Sequence, residues 1–439
     1  EIRLSLVGSE MCIRDRVPGL RNYWSACGVM AGFSQGGGVG LALSNWMVHG
    51  DPGFDVWGMD VSRFGDWTTM AYTSAKVREN YSRRFQVTFP NEELPAARPL
   101  RTTPIYEKQK TLNAVFGVSY GMEQALWYAP AGSEPVENVT FMRSNAFEPI
   151  KQECYAVRNG VGVCDISSFA KYEITGARAE SWLDHLLANA LPRQGRLALS
   201  PMLNENGKLI GDFTVGRLND RRFFIFGSGM GEQYHMRWFE AHLPADAGVK
   251  VQAHGMGLLG LSIAGPKARE LLSRLTDDDV SAEAFRFMDF RQMSLGMIPA
   301  LVGRVSFTGD LGYEFWVRPE FHARLWDDIL DKGEEFGIQP FGSRAMRSMS
   351  LRPPSTLTGI SRGPRWARRR AGAEATTSVG AVAQCAVVLA APPARPARVR
   401  AGAARRDRDA RRRARRERRA RAARAGRARR RRRARAPER

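Results

Sequence analysis

The sequence is poor in the residues that staple or metallate a domain. Its 439 residues hold five cysteines and six histidines, and none of them forms a CxxC, HxH or HExxH pair. That argues against a disulfide framework or a structural zinc as the organising element. It fits a reducing compartment, the cytoplasm or, in a eukaryote, the mitochondrial matrix. His235 and His242 can share one helix face, and a surface helix accounts for them; no metal is expected. An apolar run of the roughly 18 residues that a membrane helix needs is also missing. The longest, 379–391, stops short of it, and no membrane partner is expected. Lysine is absent after residue 351, where arginine takes over.

That last absence locates the charge. The chain carries +21 overall, yet residues 352–439 contain 29 arginines against five acids, or +24, which leaves −3 on the other 351 residues. The pI therefore says nothing about the partners of the body of the chain. Arg, Ala, Pro and Gly share GC-rich codons, so a frame slip in a GC-rich gene produces this mixture. The functional alternative is an arginine tail that binds nucleic-acid phosphates. On either account the segment has too little large apolar surface to fold and is expected to be disordered. The opening "EIRLSLVGSEMCIRDR" follows neither strand nor helix period and reads as a leader foreign to the rest.

A chain of this length makes two or three domains. "NYWSACGVMA" at 22–31 reads as a short buried strand, "GFSQGGGVG" at 32–40 as a glycine loop, and "VGLALSNWMVHG" as a helix ended by Gly50. Residues 90–101 are Pro-rich and polar, a linker or surface crossing, and 103–150 are irregular and aromatic-rich. From Phe147 onward strands and amphipathic helices alternate. A strand falls at 171–176 and a helix at 179–190 with Trp182, Leu183, Leu186 and Leu187 on one face, followed by neighbouring antiparallel strands at 208–218 and 222–229. A second unit begins near Val249, with strand, turn and helix over 258–275, a hairpin over 300–317 and a helix at 320–336. The expected class is α+β, antiparallel sheets with helices on their faces.

Several stretches then carry a resemblance. "VRNGVGVCDISSFAKYEITGARAESWLDHLLAN", "SPMLNENGKLIGDFTVGRL", "LLGLSIAGPKARELL" and "GRVSFTGDLGYEFWV" occur in the order found in the folate-binding domain of the glycine-cleavage T-protein (aminomethyltransferase) family. Residues 20–145 resemble the end of the flavin domain and the middle domain of the dimethylglycine and sarcosine dehydrogenase family, where a flavin amine-oxidase half precedes a T-protein-like half. With the leader at 1–16 set apart by its pattern, the resemblance implies the end of an FAD-dependent oxidoreductase domain at 17–89 and a middle domain at 90–146. A folate-binding domain at 147–250, an incomplete C-terminal barrel region at 251–351 and the tail at 352–439 complete the division.

It also implies site residues. Asp212 follows the Asn204–Gly207 turn and sits among Ile210, Phe213 and Val215, where an acid costs free energy unless it is paired or functional. On the residue alone a solvated strand-end acid is the simpler reading. In the family this Asp faces the folate pterin and handles the proton of the amine that captures the one-carbon unit. Glu314 alternates with Phe315 after the Gly309 and Gly312 turn, and the family uses it to accept hydrogen bonds from the pterin edge. Phe307 stands where the family has a Tyr, so the ring is kept and the hydroxyl lost. Arg344 matches an Arg that helps place the folate, though a helix cap or a surface ion pair explains it equally well from the residues. Beyond Ser350 the family's closing pattern breaks off.

The glycine run does not fit the dinucleotide fingerprint, because Gly36, Gly38 and Leu41 break its spacing. It resembles instead the last strand–loop–helix of flavin amine-oxidase domains, with Gly36, Gly37, Gly38 and Gly40 facing the flavin; a plain turn is the simpler alternative. The implied reaction is FAD-dependent oxidative demethylation of dimethylglycine, sarcosine or a similar N-methyl amino acid, with tetrahydrofolate taking the one-carbon unit as 5,10-methylene-tetrahydrofolate. Productive FAD binding by this chain alone is not expected, and no electron acceptor is identified. A folate-dependent aminomethyltransferase without redox chemistry is the alternative, and an arginine-tail nucleic-acid binder the second.

Overall fold

The computed structural model describes residues 13–16, 23–27, 32–60, 63–65, 67–204, 207–246 and 248–350. Most of the leader and all of the arginine-rich segment expected to be disordered lie outside the described residues. Part of the leader does pair: β1 (Ile13–Arg16) runs antiparallel to β2 (Trp24–Cys27). The strand expected over 22–31 is thus shorter, and its described side chains are not buried.

The glycine loop is corrected outright, because helix α1 (Gly32–His49) runs through it. Helical periodicity extends back from the apolar end. Gln35, Val39, Ala42, Leu43 and Trp46 make one buried or half-buried stripe, and Gly36, Gly37, Gly38 and Gly40 fall on the exposed side. The helix tolerates them at about 1 kcal/mol each relative to alanine. Gly50 closes it as expected, donating its N–H to the Trp46 carbonyl at 2.9 Å. Next come α2 (Met70–Ser82), capped by the Thr69 hydroxyl, and the short α3 (Tyr106–Thr111). The hairpin of β3 (Ala114–Ser119) and β4 (Met122–Tyr128) follows.

Helix α4 (Phe147–Asn159) leads into β5 (Gly162–Asp165), β6 (Ala170–Thr175) and α5 (Ala179–Leu186). The helix expected to 190 ends at 186 because Leu187 turns extended and bridges to Met202. Then come β7 (Arg196–Leu203), β8 (Leu209–Asn219), β9 (Arg222–Gly227), α6 (Glu232–Ala241) and β10 (Lys250–Ala253). The remaining elements are β11 (Leu259–Ala264), α7 (Ala268–Leu275), β12 (Phe290–Leu295), β13 (Ile298–Gly303), β14 (Gly312–Val317), α8 (Pro319–Gly333), β15 (Gln339–Pro340) and α9 (Ser343–Ser350).

Strands β10-β6-β9-β8-β7 form an antiparallel five-stranded sheet, and β12-β13-β14-β11-β5-β15 a six-stranded one, antiparallel except for the β15–β5 edge. Among the described residues this second sheet is open, so the barrel expected over 251–351 is not seen. Its strand β5, between β11 and the edge strand β15, is supplied from before residue 251, and α7 and α8 cover one face. Alternation along each strand sorts the side chains into three apolar layers. Tyr172, Ile174, Phe213, Val215, Phe223 and Ile225 pack with α5 and α6 on the outer face of the five-stranded sheet. Tyr313, Phe315 and Val317 pack with α7 and α8 on the outer face of the six-stranded sheet. Leu197, Phe224, Phe226, Phe290, Leu301 and Trp316 fill the space between the sheets. The order is therefore helices, sheet, sheet, helices.

Helix α9 closes one end of the inner layer through Ala345, Met346 and Met349 and packs on α4 and β4. Its entry is tight: a Cβ on Gly342 would overlap the carbonyl group of Leu126. Backbone on both sides leaves nothing flexible to give. Gly342→Ala is therefore expected to lower stability by roughly 2 kcal/mol or more in a urea melt. A neutral result would mean that α9 does not approach β4 this closely.

Candidate functional site

The inner layer is where the expected acids lie. On β8, Phe213 and Val215 point to the outer core, so Asp212 and Thr214 point inward. Thr214 pairs with Phe226 of β9, whose ring stacks on Trp316 of β14 at 4.6 Å and 18°. Glu314 is two residues from Trp316 and shares its face, opposite Tyr313 and Phe315. The two acids thus stand on the facing surfaces of the two sheets, flanking one aromatic stack. Phe307 joins the same layer, its ring 6.1 Å from Phe169, which lies 6.3 Å from Trp316. The turn that follows it needs Gly309 at φ +74°, a left-handed conformation that a side chain disfavours.

Electrostatics separates these groups from ordinary surface acids. Glu314 is 7% exposed, has no hydrogen-bonding or ion-pair partner among the described residues, and is pushed by burial up to about 8. A buried carboxylate that nothing satisfies is costly. What remains open to it is a ligand donor or a retained proton. Asp212 is half-buried, and desolvation raises it against the opposing hydrogen bond from its neighbour Phe213. Glu314, raised this far, holds a proton at neutral pH, and burial moves Asp212 in the same direction, the one that favours general acid–base work.

Arg344 does not join them. It opens α9 and pairs with Glu137 at 2.6 Å, both side chains well covered. Together they line a separate groove of about 760 Å³ between α4, α9 and residues 137–147. The ion-pair alternative open from the residues is the arrangement found. Gly36, Gly37, Gly38 and Gly40 are exposed along α1, with nothing among the described residues within 4 Å of where a Cβ would stand. His235 corrects another expectation. It lies 4% exposed under the sheet, its Nδ1 2.9 Å from the Tyr172 hydroxyl, and burial takes it down to about 4. It is a neutral core histidine, and among the described residues no His, Cys, Asp and Glu group could hold a metal.

The structure also shows charged groups that the motifs did not point to. Lys171 sits beside Phe226 on the inner face of β6, buried, and donates to the Ser167 carbonyl at 2.7 Å. Burial lowers it to about 8. In "KYEIT" it alternates with Tyr172 and Ile174, a signal that was available. Ser167 Oγ and Asp165 Oδ1 approach the same nitrogen, His322 Nε2, at 3.4 and 4.0 Å. A nucleophile relay needs the acid on the other ring nitrogen. This is a buried structural knot, tied to residue 103 by the Thr103 hydroxyl bond to Asp165 at 3.0 Å.

A buried acid facing an aromatic ring across two sheets is a geometry that known proteins can be compared with. Residues 105–353 match the family described as GCVT N-terminal domain, and residues 49–103 match the FAD dependent oxidoreductase central domain. The chain belongs to the GCVT N-terminal domain family. It is a homologue of the dimethylglycine and sarcosine dehydrogenases. Identity is 36% over 346 residues to human mitochondrial dimethylglycine dehydrogenase, covering 78% of this chain and 40% of that protein. It is 28% over 383 residues to human mitochondrial sarcosine dehydrogenase, covering 77% and 42%. The crystal structure of the glycine cleavage system aminomethyltransferase T from Bartonella henselae aligns at 22% identity and a TM-score of 0.47, over 57% of this chain and 62% of that one. The chain spans about 40% of the length of the curated relatives it matches. The family's central domain and GCVT region are thus joined here near residue 104, and the layer holding Asp212, Phe307 and Glu314 lies within the GCVT match.

Proposed function

We propose that the inner layer is a tetrahydrofolate site in the folate half of a dimethylglycine- or sarcosine-type dehydrogenase. The observation that carries this is Glu314, a buried carboxylate without a partner among the described residues, next to an aromatic layer that includes Phe307. A flat heterocycle with paired N–H donors on one edge matches such a carboxylate, and stacking on Phe307 would hold its plane. Asp212, on the facing sheet, holds or takes the proton of the folate amine. When bound, tetrahydrofolate supplies the nitrogens that accept a one-carbon unit. Water is kept out by Phe226, Trp316 and Phe169, which wall the layer.

FAD is implied only by kinship with the dehydrogenases and by the central-domain match, which favours this reading over a transferase without redox chemistry. In that reading Gly36, Gly37, Gly38 and Gly40 lie on the part of α1 nearest the flavin. The substrate is an N-methyl amino acid. Arg344 is left out of direct folate contact, since Glu137 already occupies it.

The test is calorimetric titration of 5-formyltetrahydrofolate, followed by one-carbon transfer from dimethylglycine or sarcosine, with a flavin-loaded dehydrogenase half added in trans to oxidise the amine, against transfer from an aminomethyl carrier protein. Asp212→Asn is expected to keep folate affinity within about threefold of the parent while lowering transfer roughly a hundredfold or more. Loss of binding and turnover in equal measure would make Asp212 a structural residue. Transfer from the carrier protein alone would favour the plain aminomethyltransferase.

A further inference from the structure

A second cavity, of about 290 Å³, opens beside the folate layer and gathers charges that the reading above does not use. Arg101 and Tyr120 form one wall, Phe169 and Lys171 another, and Glu232, from the first turn of α6, a third. Among the described residues Lys171 Nζ has a single hydrogen bond, to the Ser167 carbonyl, and otherwise faces the Trp316 ring at 6.0 Å. The Arg101 guanidinium makes one long bond, 3.5 Å, to the Tyr120 carbonyl and lies 5.9 Å from the Trp67 ring. Among the described residues neither cation has a carboxylate within ion-pair distance, and the Glu232 carboxylate has no hydrogen-bond donor. Desolvation lowers both cations and raises Glu232, so each charge is held out of water at a cost. Three charges kept close but unpaired, around a space that would hold about ten waters, make a site rather than a core.

We propose that this cavity binds the carboxylate of a small organic ligand, with Arg101 and Lys171 on the carboxylate and Glu232 on an N–H or ammonium group of the same molecule. Arg63, bonded to the Asp60 carbonyl, also lines the cavity. Two ligands present that chemistry: a free N-methyl amino acid, and the glutamyl end of a folate whose ring sits against Glu314. The second source rests on the folate reading, and the first does not. Continuity supports both, because Phe169 lines the cavity while lying 6.1 Å from Phe307, and Lys171 faces the Trp316 ring two residues from Glu314.

Calorimetry on the full chain tests the proposal with three probes: dimethylglycine, 5-formyltetrahydrofolate, and 5-formyltetrahydropteroate, which lacks the glutamate. Arg101→Gln is expected to weaken dimethylglycine or the folate roughly tenfold or more while binding the pteroate, whose benzoate carboxylate ends short of the glutamyl position, as the parent does. A loss for dimethylglycine assigns the free amino acid. A loss for the folate without one for the pteroate assigns the glutamyl end. The proposal is overturned if Arg101→Gln binds all three as the parent does. It is also overturned if the pteroate binds the parent as tightly as the folate while dimethylglycine does not bind. If neither folate nor pteroate binds, the folate reading falls and the dimethylglycine arm alone decides. Glu232→Gln serves if Arg101→Gln does not fold: it should weaken dimethylglycine, whose ammonium uses the full charge, by roughly threefold or more, and the glutamyl probe, whose amide N–H needs only an acceptor, by less. No change in either would equally overturn the site.

Discussion

Glu314→Gln is expected to melt at a higher temperature than the parent chain above pH 8 and at the same time to lose its hold on tetrahydrofolate. The sign follows from burial. The folded carboxyl titrates at about 8 against an ordinary 4.5. Between those values the folded chain holds a proton that the unfolded chain has released. Stability therefore falls as pH climbs from 4.5 to 8 and is flat beyond. The full span is on the order of 5 kcal/mol. Glutamine does not titrate, so its advantage should be small at pH 4.5 and reach several kcal/mol above pH 8, read as a widening gap between two urea-melt series. Binding moves the other way. An amide offers one acceptor oxygen where the carboxylate offers two, and affinity for 5-formyltetrahydrofolate should fall roughly a hundredfold. In the parent, affinity should rise with pH up to about 8, with a proton released on binding, visible as a buffer-dependent heat. A variant less stable than the parent at pH 9 would show that Glu314 already has a partner in the fold.

Local pattern carried further for the site than for its surroundings. Period-two alternation over 208–218 and 312–317 is enough to turn Asp212 and Glu314 away from Phe213 and Phe315, and β8 and β14 place them so. That the two inward faces meet is a tertiary fact, settled by the stack of Phe226 on Trp316, ninety residues apart in the chain. His235 illustrates the same limit: its helix reads as a surface one, and its burial depends on Tyr172 from a strand sixty residues earlier. At Gly36 to Gly40 turn chemistry competed with the helical stripe of Gln35, Val39, Ala42 and Leu43, and the stripe prevailed. The partner of Arg344 was equally out of reach, since Glu137 lies in a stretch with no regular pattern.

Glu153→Ala should produce the largest loss of stability away from the site, and its size should depend on pH. One Glu153 oxygen accepts the Tyr128 N–H at 2.7 Å, the other accepts the Gly342 N–H at 2.9 Å, and the residue is 7% exposed. It therefore ties the end of β4 to the approach of α9. Alanine leaves two buried N–H groups without acceptors, at about 1–3 kcal/mol each. Burial outweighs those two bonds and lifts the carboxyl from 4.5 to about 7. The parent thus gives up stability as pH rises through that window, on the order of 3 kcal/mol in all. The variant has nothing to titrate there, so its deficit should be greatest near pH 4.5 and shrink by pH 8; a constant deficit would mean that Glu153 is not shielded from water. Glu153→Gln, which keeps one acceptor and cannot ionise, should fall between the two at low pH. Because α9 supplies Ala345, Met346 and Met349 to the layer that holds Trp316, loosening its approach should also speed amide exchange across 343–350 before the sheets themselves open.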